Sequence, residues 1–294
     1  MPTVWRVAGR AVEVKNLDKV FFPDSGITKG DLLAYYRAVA RFLLPHLRGR
    51  PLTLYQCPDG LEGGCFYRRK LPAHAPAWFP RVFFNPKSRT GRVPLILAED
   101  QAQLVWLANQ AAVEFHGWNA RLPDLGRPDR LVLDLDPGEV GFERVVEAAL
   151  LIRQELEARG LRAWAKTSGG RGLHLWVPLV PEKTHAEVRA WARAFAQALE
   201  ARHGWIRVPK GRSHAGDGVQ IDYAQNGYGR NTAAPYTVRA RPGAPVSTPL
   251  AWEELERCDC RPTDFNLQTV PGRLARIGDP MAELWKMPQS LPAL

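Results

Sequence analysis

The sequence predicts a mixed fold, α/β or α+β, in which short strands and amphipathic helices alternate along the chain. Four short runs, LVLDLD, RAWAKTS, GLHLWVPL and VQIDY, have the length and residue types of β-strands. Longer segments elsewhere repeat apolar residues every three or four positions, which is typical of helices packed on one face. With 45% hydrophobic and 24% charged residues, the 294-residue chain can build one large domain or two fused lobes.

Two capping boxes mark helix beginnings, because a Thr side chain and an acid three residues later satisfy free N–H groups reciprocally. The first pairs Thr28 with Asp31, and the second pairs Thr184 with Glu187. Apolar periodicity predicts a helix after each of them. Two further helical segments are expected at about 102–115 and 142–159.

The charge balance favours a polyanionic partner. The formal net charge is +10, and a basic surplus attracts nucleic acid because phosphate neutralisation releases counterions. No apolar run approaches the roughly 20 residues of a membrane span. The N-terminal segment lacks the pattern of a secretory signal, so a cytoplasmic location is expected.

The cysteines are expected to be reduced structural thiols. They stand at Cys57, Cys65, Cys258 and Cys260. A reducing compartment argues against disulfides, and the spacings differ from the C-x2-C pattern of a zinc site.

The strand at 131–136 carries two carboxylates that face the same side, because alternate residues of a strand share a face. Asp134 and Asp136 would repel each other in a buried strand, and a divalent cation such as Mg²⁺ or Mn²⁺ relieves that repulsion. The alternative is a strand end whose acids cap the next helix. Asp222 lies in a second short strand, and three carboxylates can hold two metal ions roughly 3.5–4 Å apart.

The second local signal is the glycine-rich stretch at 168–179. Its glycines permit a positive φ and close backbone approach, which suits a cradle for phosphate oxygens. A hydroxyl, a guanidinium and an imidazole lie in the same stretch and can bind the same anion. The residues predicted to bind nucleotide here are Ser168, Gly170, Arg171 and His174. The alternative is a glycine turn followed by a histidine with an ordinary structural partner.

In their order and separation, LDLDP, SGGRGLHLWVPL and IDYAQN resemble the polymerase domain of bacterial DNA ligase D. That domain belongs to the archaeo-eukaryotic primase superfamily and serves in non-homologous end joining. Further similar stretches are NLDKVFFPDSGITKGDLLAYY, QCPDGLEGGCFYRRK, AAVEFHGWNAR and NTAAPYTVRARPGAPVSTPL, so that the likeness runs from about residue 10 to 285.

The resemblance implies a primase-polymerase fold, α+β in class, with an RRM-like catalytic sheet packed against an N-terminal lobe. The whole chain, 1–294, would be one catalytic domain. Its expected parts are a lobe at about 1–120, a catalytic sheet at about 121–250 and a wrapping tail at 251–294. Within this scheme the proline-rich stretch 239–250 is expected to be an ordered surface connection.

The resemblance also implies residue roles. The ligands of two Mn²⁺ or Mg²⁺ ions would be Asp134, Asp136 and Asp222. The triphosphate would be contacted by Ser168, Arg171, His174 and Arg239, together with the backbone at Gly170. The sugar would lie near His116, a base would stack on Phe66 beside Tyr67, and a DNA 5′-phosphate would bind Lys19 and Lys29.

Interpretations without a functional role remain open for several of these positions. Phe66 could be a core residue, Arg239 a solvated one, and Lys19 and Lys29 ordinary surface lysines. The stretch 211–218 is longer than the basic turn of the family, so Arg212 or His214 could replace a triphosphate contact.

The expected function is a template-directed polymerase that adds NTPs or dNTPs to primer 3′ ends during gap filling and end processing. The alternatives are a primase, a two-metal nuclease and a non-catalytic RRM-like nucleic-acid-binding module. Expected partners are gapped or broken DNA with a 5′-phosphate, a Ku-like end-binding protein and a separate or fused DNA ligase. Such a protein would be associated with the nucleoid.

Overall fold

The computed structural model describes residues 3–85, 91–209 and 216–293. The strands are β1 (Thr3–Val7), β2 (Arg10–Val14), β3 (Val20–Phe22), β4 (Ile27–Thr28), β5 (Leu52–Gln56), β6 (Phe66–Arg68), β7 (Phe83–Phe84), β8 (Val93–Pro94), β9 (Ala112–Trp118), β10 (Arg130–Pro137), β11 (Trp164–Thr167), β12 (Leu173–Pro178), β13 (Ile206–Arg207), β14 (Val219–Asp222), β15 (Asn231–Ala233) and β16 (Pro249–Leu250). The α-helices are α1 (Lys29–Leu47), α2 (Gln101–Asn109), α3 (Phe142–Glu157), α4 (His185–Arg202), α5 (Trp252–Glu256) and α6 (Val270–Ile277). The prediction of a mixed fold is confirmed.

The larger sheet has the strand order β13-β14-β10-β12-β11-β16, and all neighbours are antiparallel except β13 and β14. Helices α3 and α4 pack against it, and Leu133 and Leu135 join the main apolar core. Because side chains alternate, the neighbouring residues of β10 face the other way. On that face, Val132 meets the C-terminal tail in a small apolar cluster. This cluster consists of Val132, Trp164, Trp176, Met281 and Leu284.

The smaller sheet has the order β15-β9-β5-β6, with antiparallel pairing throughout. Helices α1 and α2 pack against β9. Strand β15 follows β14 in sequence but pairs with β9, whereas β16 adds an edge to the larger sheet. The chain therefore passes from one sheet to the other and back between residues 222 and 250.

Both predicted capping boxes are present. The Thr28 hydroxyl accepts from the Asp31 N–H at 3.2 Å, and the Asp31 carboxylate accepts from the Thr28 N–H at 2.8 Å. Thr184 and Glu187 make the same reciprocal pair at the beginning of α4. Within the described residues, no helix has the length and apolar character needed to cross a bilayer.

The predicted helix over 102–115 is wrong in its second half. Helix α2 ends at Asn109, and Ala111 then takes a left-handed backbone conformation with φ of 63°. The following run, VEFHGW, is rich in β-branched and aromatic residues and pairs with both β5 and β15. Tertiary pairing therefore converts the end of an apparent helix into the central strand β9.

The predicted surface connection over 239–250 is also wrong in its second half, where residues 246–250 are buried. Its backbone is held by a threonine of β11. The Thr167 hydroxyl donates to the Val246 carbonyl at 3.1 Å and accepts from the Thr248 N–H at 2.9 Å. The segment thereby extends the larger sheet beyond β11.

The expectation of four reduced thiols is wrong for one pair, because Cys57 and Cys65 form a disulfide. The β5–β6 hairpin brings the two residues together: Gln56 pairs with Phe66, and the Cα atoms of the adjacent cysteines lie 4.3 Å apart. Cys258 and Cys260 are free.

Reduction of this disulfide is expected to lower the free energy of unfolding by about 2 kcal/mol, because the bond closes a short loop and restricts the unfolded chain. Urea unfolding with and without a reductant measures the difference. The Cys57→Ser, Cys65→Ser double variant is the control and should not respond to reductant. Equal unfolding midpoints of the native protein under both conditions would contradict the prediction.

Candidate active site

Four polar residues form a row across the larger sheet. The register pairs Asp222 with Asp134, Asp134 with His174, and His174 with Lys166, so that strands β14, β10, β12 and β11 contribute one residue each. Directly paired residues of antiparallel strands project from the same face. Asp136 lies two residues further along β10 and so faces the same way. The structure therefore brings the three predicted carboxylates onto one face.

The carboxylates repel one another. Burial and the charges of Asp134 and Asp222 raise the pKa of Asp136 to about 6. Burial, reinforced by Asp134, also raises the pKa of Asp222. Burial opposes the ionisation of Asp134 too, but the adjacent His174 outweighs it and lowers the pKa of this carboxyl group. The three acids concentrate negative charge at one place, and a divalent cation would relieve their repulsion.

The hydrogen-bond partners of the carboxylate oxygens show whether these residues fit a divalent cation. Nε2 of His174 lies 3.1 Å from Oδ1 of Asp134, yet this buried oxygen has no hydrogen-bond partner. The Asp222 oxygens accept from the Ala224 N–H at 2.7 Å and from Nε2 of Gln225 at 3.0 Å. Residues 3–85, 91–209 and 216–293 accordingly contain no preformed cluster of three His, Cys, Asp or Glu ligands. The oxygen donors fit Mg²⁺ or Mn²⁺ once the Asp222 carboxylate turns away from its own turn.

The glycine-rich loop between β11 and β12 packs directly on β10. The Ser168 hydroxyl accepts from the N–H groups of Gly170 at 3.1 Å and Gly172 at 3.3 Å. Of the loop glycines Gly169, Gly170 and Gly172, only Gly169 has a positive φ, of 73°. Gly172 is required for another reason, because a Cβ there would lie 2.1 Å from the Leu135 carbonyl oxygen. The loop therefore packs at Gly172 directly against the backbone of β10, the strand that carries Asp134 and Asp136.

A buried carboxylate on β9, Glu114, was not predicted from the sequence. It accepts from Nε2 of His116 at 2.7 Å, from Nε of Arg239 at 3.0 Å and from the Ala240 N–H at 2.8 Å. The guanidinium of Arg239 also donates to the Ser168 carbonyl. Arg239 is thus held in place, which contradicts the interpretation of it as a freely solvated residue. The available signal was an acid two residues before a histidine in an apolar strand.

Lys166 was also missed, although a lysine inside an apolar strand is a visible anomaly. Its side chain is fully buried and donates to the Thr167 carbonyl at 3.1 Å and to the Ser247 hydroxyl. Burial and the charge of Arg239 lower its pKa well below the ordinary value. Burial and Lys166 also lower the pKa of His174, to about 4, so that this imidazole is neutral at neutral pH.

Several of these groups meet in a cleft of about 200 Å³ between the two sheets, whose lining does not include Asp222, Glu114 or Lys166. The cleft is lined by His116, Asp134, Asp136, Ser168, His174, Gln225, Asn231, Thr232, Ala233, Arg239 and Arg241. Six predicted residues are therefore adjacent, and Arg241 is an additional cation. Arg171 lies at the edge, with its guanidinium 3.5 Å from the Pro137 carbonyl.

A second, larger cavity of about 670 Å³ shares His116, Gln225 and Asn231 with this cleft. Its other lining includes Tyr67 and Trp118, and basic side chains stand at Arg69, Lys70 and Arg230. Aromatic faces beside basic groups suit the bases and phosphates of a nucleic acid strand.

Phe66 is 44% exposed, so the interpretation of it as a core residue is wrong. It lies on β6, and Arg68 stacks 5.4 Å from its ring centre. Because the strand alternates, the adjacent Tyr67 faces the other way, with its ring centre 6.2 Å from that of His116. The structure therefore places Tyr67, and not Phe66, next to His116.

Lys19 and Lys29 lie together at the beginning of α1. Nζ of Lys19 pairs with Asp59 at 2.6 Å, and Nζ of Lys29 donates to the Lys15 carbonyl at 2.8 Å. Burial and the charge of Lys19 lower the pKa of Lys29 to about 8. Lys29 is 6% exposed, so it is not an ordinary surface lysine. The candidate replacement contacts Arg212 and His214 lie outside the described residues.

A family model described as the LigD primase-polymerase domain matches residues 28–281. The chain belongs to this family. Similar proteins include the multifunctional non-homologous end joining proteins LigD of Mycolicibacterium smegmatis and Pseudomonas aeruginosa. They are 34% and 35% identical, over 93% and 95% of this chain. The chain spans 36% and 33% of their lengths.

A solved structure of the LigD family is also similar, the polymerase domain of Mycobacterium tuberculosis ligase D in complex with DNA. The TM-score is 0.87 at 33% identity, and the match covers 94% of this chain and 98% of that one. Family membership makes the chain a nucleotidyltransferase of the primase-polymerase type. The predictions of the family and of a polymerase-type function are confirmed.

Proposed function

We propose that the chain catalyses template-directed transfer of NTPs or dNTPs to a primer 3′ end in gapped or broken DNA. The observation that carries this proposal is the register pair of Asp134 and Asp222, next to a cleft that Asp134 and Asp136 line together with Arg239 and Arg241. Acids that bind cations and arginines that bind phosphates are both needed for nucleotidyl transfer, because the reaction joins a hydroxyl to a triphosphate.

Asp134, Asp136 and Asp222 would hold two Mg²⁺ or Mn²⁺ ions. When bound, such ions lower the pKa of an attacking hydroxyl and neutralise charge on the transferred and leaving phosphates. Among residues of the chain itself, Arg239 and Arg241 orient the triphosphate by charge-assisted hydrogen bonds. The glycine-rich loop would hold a triphosphate oxygen through the Ser168 hydroxyl, which the N–H groups of Gly170 and Gly172 fix in place by donating to its oxygen.

The other side chains position the sugar, the bases and the downstream strand. His116 contacts the sugar, which favours ribonucleotides, and neutral His174 supports Asp134. Tyr67 and the exposed Phe66 stack on bases in a sequence-tolerant manner, as a polymerase requires. Lys19 and Lys29 bind the 5′-phosphate across a gap.

The proposed setting is double-strand break repair by non-homologous end joining, near the nucleoid. The relatives named for this pathway are about three times longer than the chain. A Ku-like end-binding protein and a separate or fused DNA ligase are therefore proposed as partners. The net charge of +10 agrees with a DNA substrate.

The test is incubation with a gapped, 5′-phosphorylated duplex, Mn²⁺, and either NTPs or dNTPs. The proposal expects the labelled primer to grow by templated additions, more readily with NTPs. Shortening of the primer would instead favour a two-metal nuclease. Binding without any change of length would favour a non-catalytic module, and synthesis without a primer would identify a primase.

The preference for a 5′-phosphate over a 5′-hydroxyl is expected to fall by about threefold between pH 7 and 9. A single ion pair, here between Lys29 and the phosphate, contributes about that factor to binding. The pKa of Lys29 is about 8, so its ammonium is charged below that pH and neutral above it. Fluorescence anisotropy with the two duplexes measures the preference. Lys29→Arg is the control and should keep its preference at pH 9, whereas an equally pH-sensitive arginine variant would contradict the assignment.

A further inference from the structure

Glu114 stands between the two groups proposed to recognise the sugar and the triphosphate. It is 4% exposed, and both carboxylate oxygens are used. One oxygen, Oε2, accepts from Nε2 of His116 at 2.7 Å and from Nε of Arg239 at 3.0 Å. The other, Oε1, accepts from the Ala240 N–H at 2.8 Å. One buried acid therefore contacts two residues of the cleft and the backbone between the cleft arginines.

The charge of Glu114 fixes the proton on His116. Burial opposes ionisation of Glu114, but the hydrogen bond from His116 and the charge of Arg239 outweigh it and lower the pKa of Glu114 to about 2. An ionised carboxylate only accepts hydrogen bonds, so Nε2 of His116 must carry the proton. Burial lowers the pKa of His116, and the neutral ring then keeps Nδ1 as an acceptor. An acceptor is what a sugar hydroxyl donor needs.

The same carboxylate restrains Arg239. This guanidinium is tied at Nε to Glu114 and at a terminal nitrogen to the Ser168 carbonyl of the glycine-rich loop. Strand β9 belongs to the smaller sheet, whereas Ser168 follows β11 of the larger one. Glu114 therefore links the two sheets across the cleft through Arg239. Small misplacements of such groups cost large factors in binding and rate.

We infer that Glu114 is a positioning residue that orients His116 toward the sugar 2′-hydroxyl and Arg239 toward the triphosphate, and thereby sets the preference for ribonucleotides. The inference deepens the proposed function and rests on its placement of the nucleotide. A merely structural role, in which Glu114 only joins β9 to residue 240, predicts a loss of stability without a change in sugar preference.

The test measures dissociation constants of ATP and dATP with Mn²⁺ for the wild type and for Glu114→Gln. Glutamine keeps the shape but presents an amide in place of two charged acceptors. We expect ATP binding to weaken about tenfold, the value of one hydrogen bond to a charged group, and dATP binding to weaken less. An unchanged ratio of the two constants would overturn the inference.

The matched control is Asp129→Asn. Asp129 is another largely buried carboxylate between two arginines, 2.6 Å from Nη1 of Arg50 and 2.7 Å from Nε of Arg121, but it does not line the cleft. Its loss should lower the unfolding temperature and leave the ATP to dATP ratio unchanged. A changed ratio in this control would assign the effect to stability and overturn the inference.

A double-mutant cycle with His116→Ala tests the route of the effect. If Glu114 acts on the sugar through His116, the double variant Glu114→Gln, His116→Ala has the same ratio of ATP to dATP dissociation constants as His116→Ala alone. Independent, additive losses would overturn that route. If Glu114→Gln does not fold, Glu114→Asp keeps the charge, withdraws it by one methylene and carries the same expectation.

Primer extension by the wild type is measured separately. Absent extension with intact ATP binding would count against the polymerase proposal, while the binding constants would still decide the role of Glu114. Absent ATP binding would overturn both.

Discussion

Asp136→Asn is expected to lower primer extension by about 10³-fold, which corresponds to several kcal/mol of lost charge stabilisation. The same change is expected to make the metal-free protein more stable at neutral pH. Burial and the neighbouring acids raise the pKa of Asp136 in the fold to about 6, above the ordinary value of 3.8. The neutral Asp136 carboxyl group contributes to the free energy of unfolding at pH values below its pKa in the unfolded chain. That contribution is lost as the pH rises through 6. Asparagine is neutral at every pH and avoids that loss.

The measurements are extension of a gapped duplex with Mn²⁺ and thermal unfolding in a chelator at pH 5 and pH 8. Asp217→Asn is the control, because the Asp217 side chain is 89% exposed and pairs with Arg207. That variant should change neither quantity appreciably. Extension by Asp136→Asn at more than a tenth of the wild-type rate would contradict the role of this carboxylate.

Gly172→Ala is expected to have the second largest effect. A Cβ at this position would lie 2.1 Å from the Leu135 carbonyl oxygen and 3.3 Å from Oδ1 of Asp136. The nearer contact is backbone of β10, which cannot move without shifting the neighbouring acids. We expect a loss of about 3 kcal/mol in stability from overpacking and about 10²-fold in extension from misplaced ligands.

Urea unfolding and extension kinetics measure the two losses. Gly204→Ala is the control, since a Cβ there meets nothing within 4 Å and the residue has no positive φ. It should leave both stability and extension close to wild type. If Gly172→Ala also behaved as wild type, the close packing of the glycine-rich loop on β10 would be contradicted.

Local pattern was enough to predict the acids of β10. Two aspartates at alternate positions in an apolar strand must share a face, and their repulsion points to a cation whatever the rest of the fold. The capping boxes at Thr28 and Thr184 were predictable for the same reason, because each depends on residues three positions apart.

Contacts that depend on strand pairing were not predictable from local pattern. Nothing local to Asp222 says that β14 lies beside β10, and the direct pairing with Asp134 follows from the sheet order. Glu114 and Lys166 were missed because their partners lie at distant positions, Arg239 and Ser247. The disulfide was missed because the β5–β6 hairpin brings Cys57 and Cys65 together, which spacing alone does not disclose.

The resemblance to LigD polymerase domains supplied what local patterns could not, including the expectation that His116 lies near the nucleotide sugar. It did not distinguish the two aromatic residues of β6. Backbone alternation turns Tyr67 toward His116 and Phe66 toward the other face of β6, although both side chains are exposed.

The most direct test of the central claim is anomalous scattering from Mn²⁺ in crystals of the protein with a non-hydrolysable nucleotide. We expect two Mn²⁺ ions roughly 3.5–4 Å apart between Asp134 and Asp136, with the Asp222 carboxylate turned away from the Ala224 N–H to join them. Asp222 still bonded to its own turn, with no Mn²⁺ at the acids of β10, would contradict the claim.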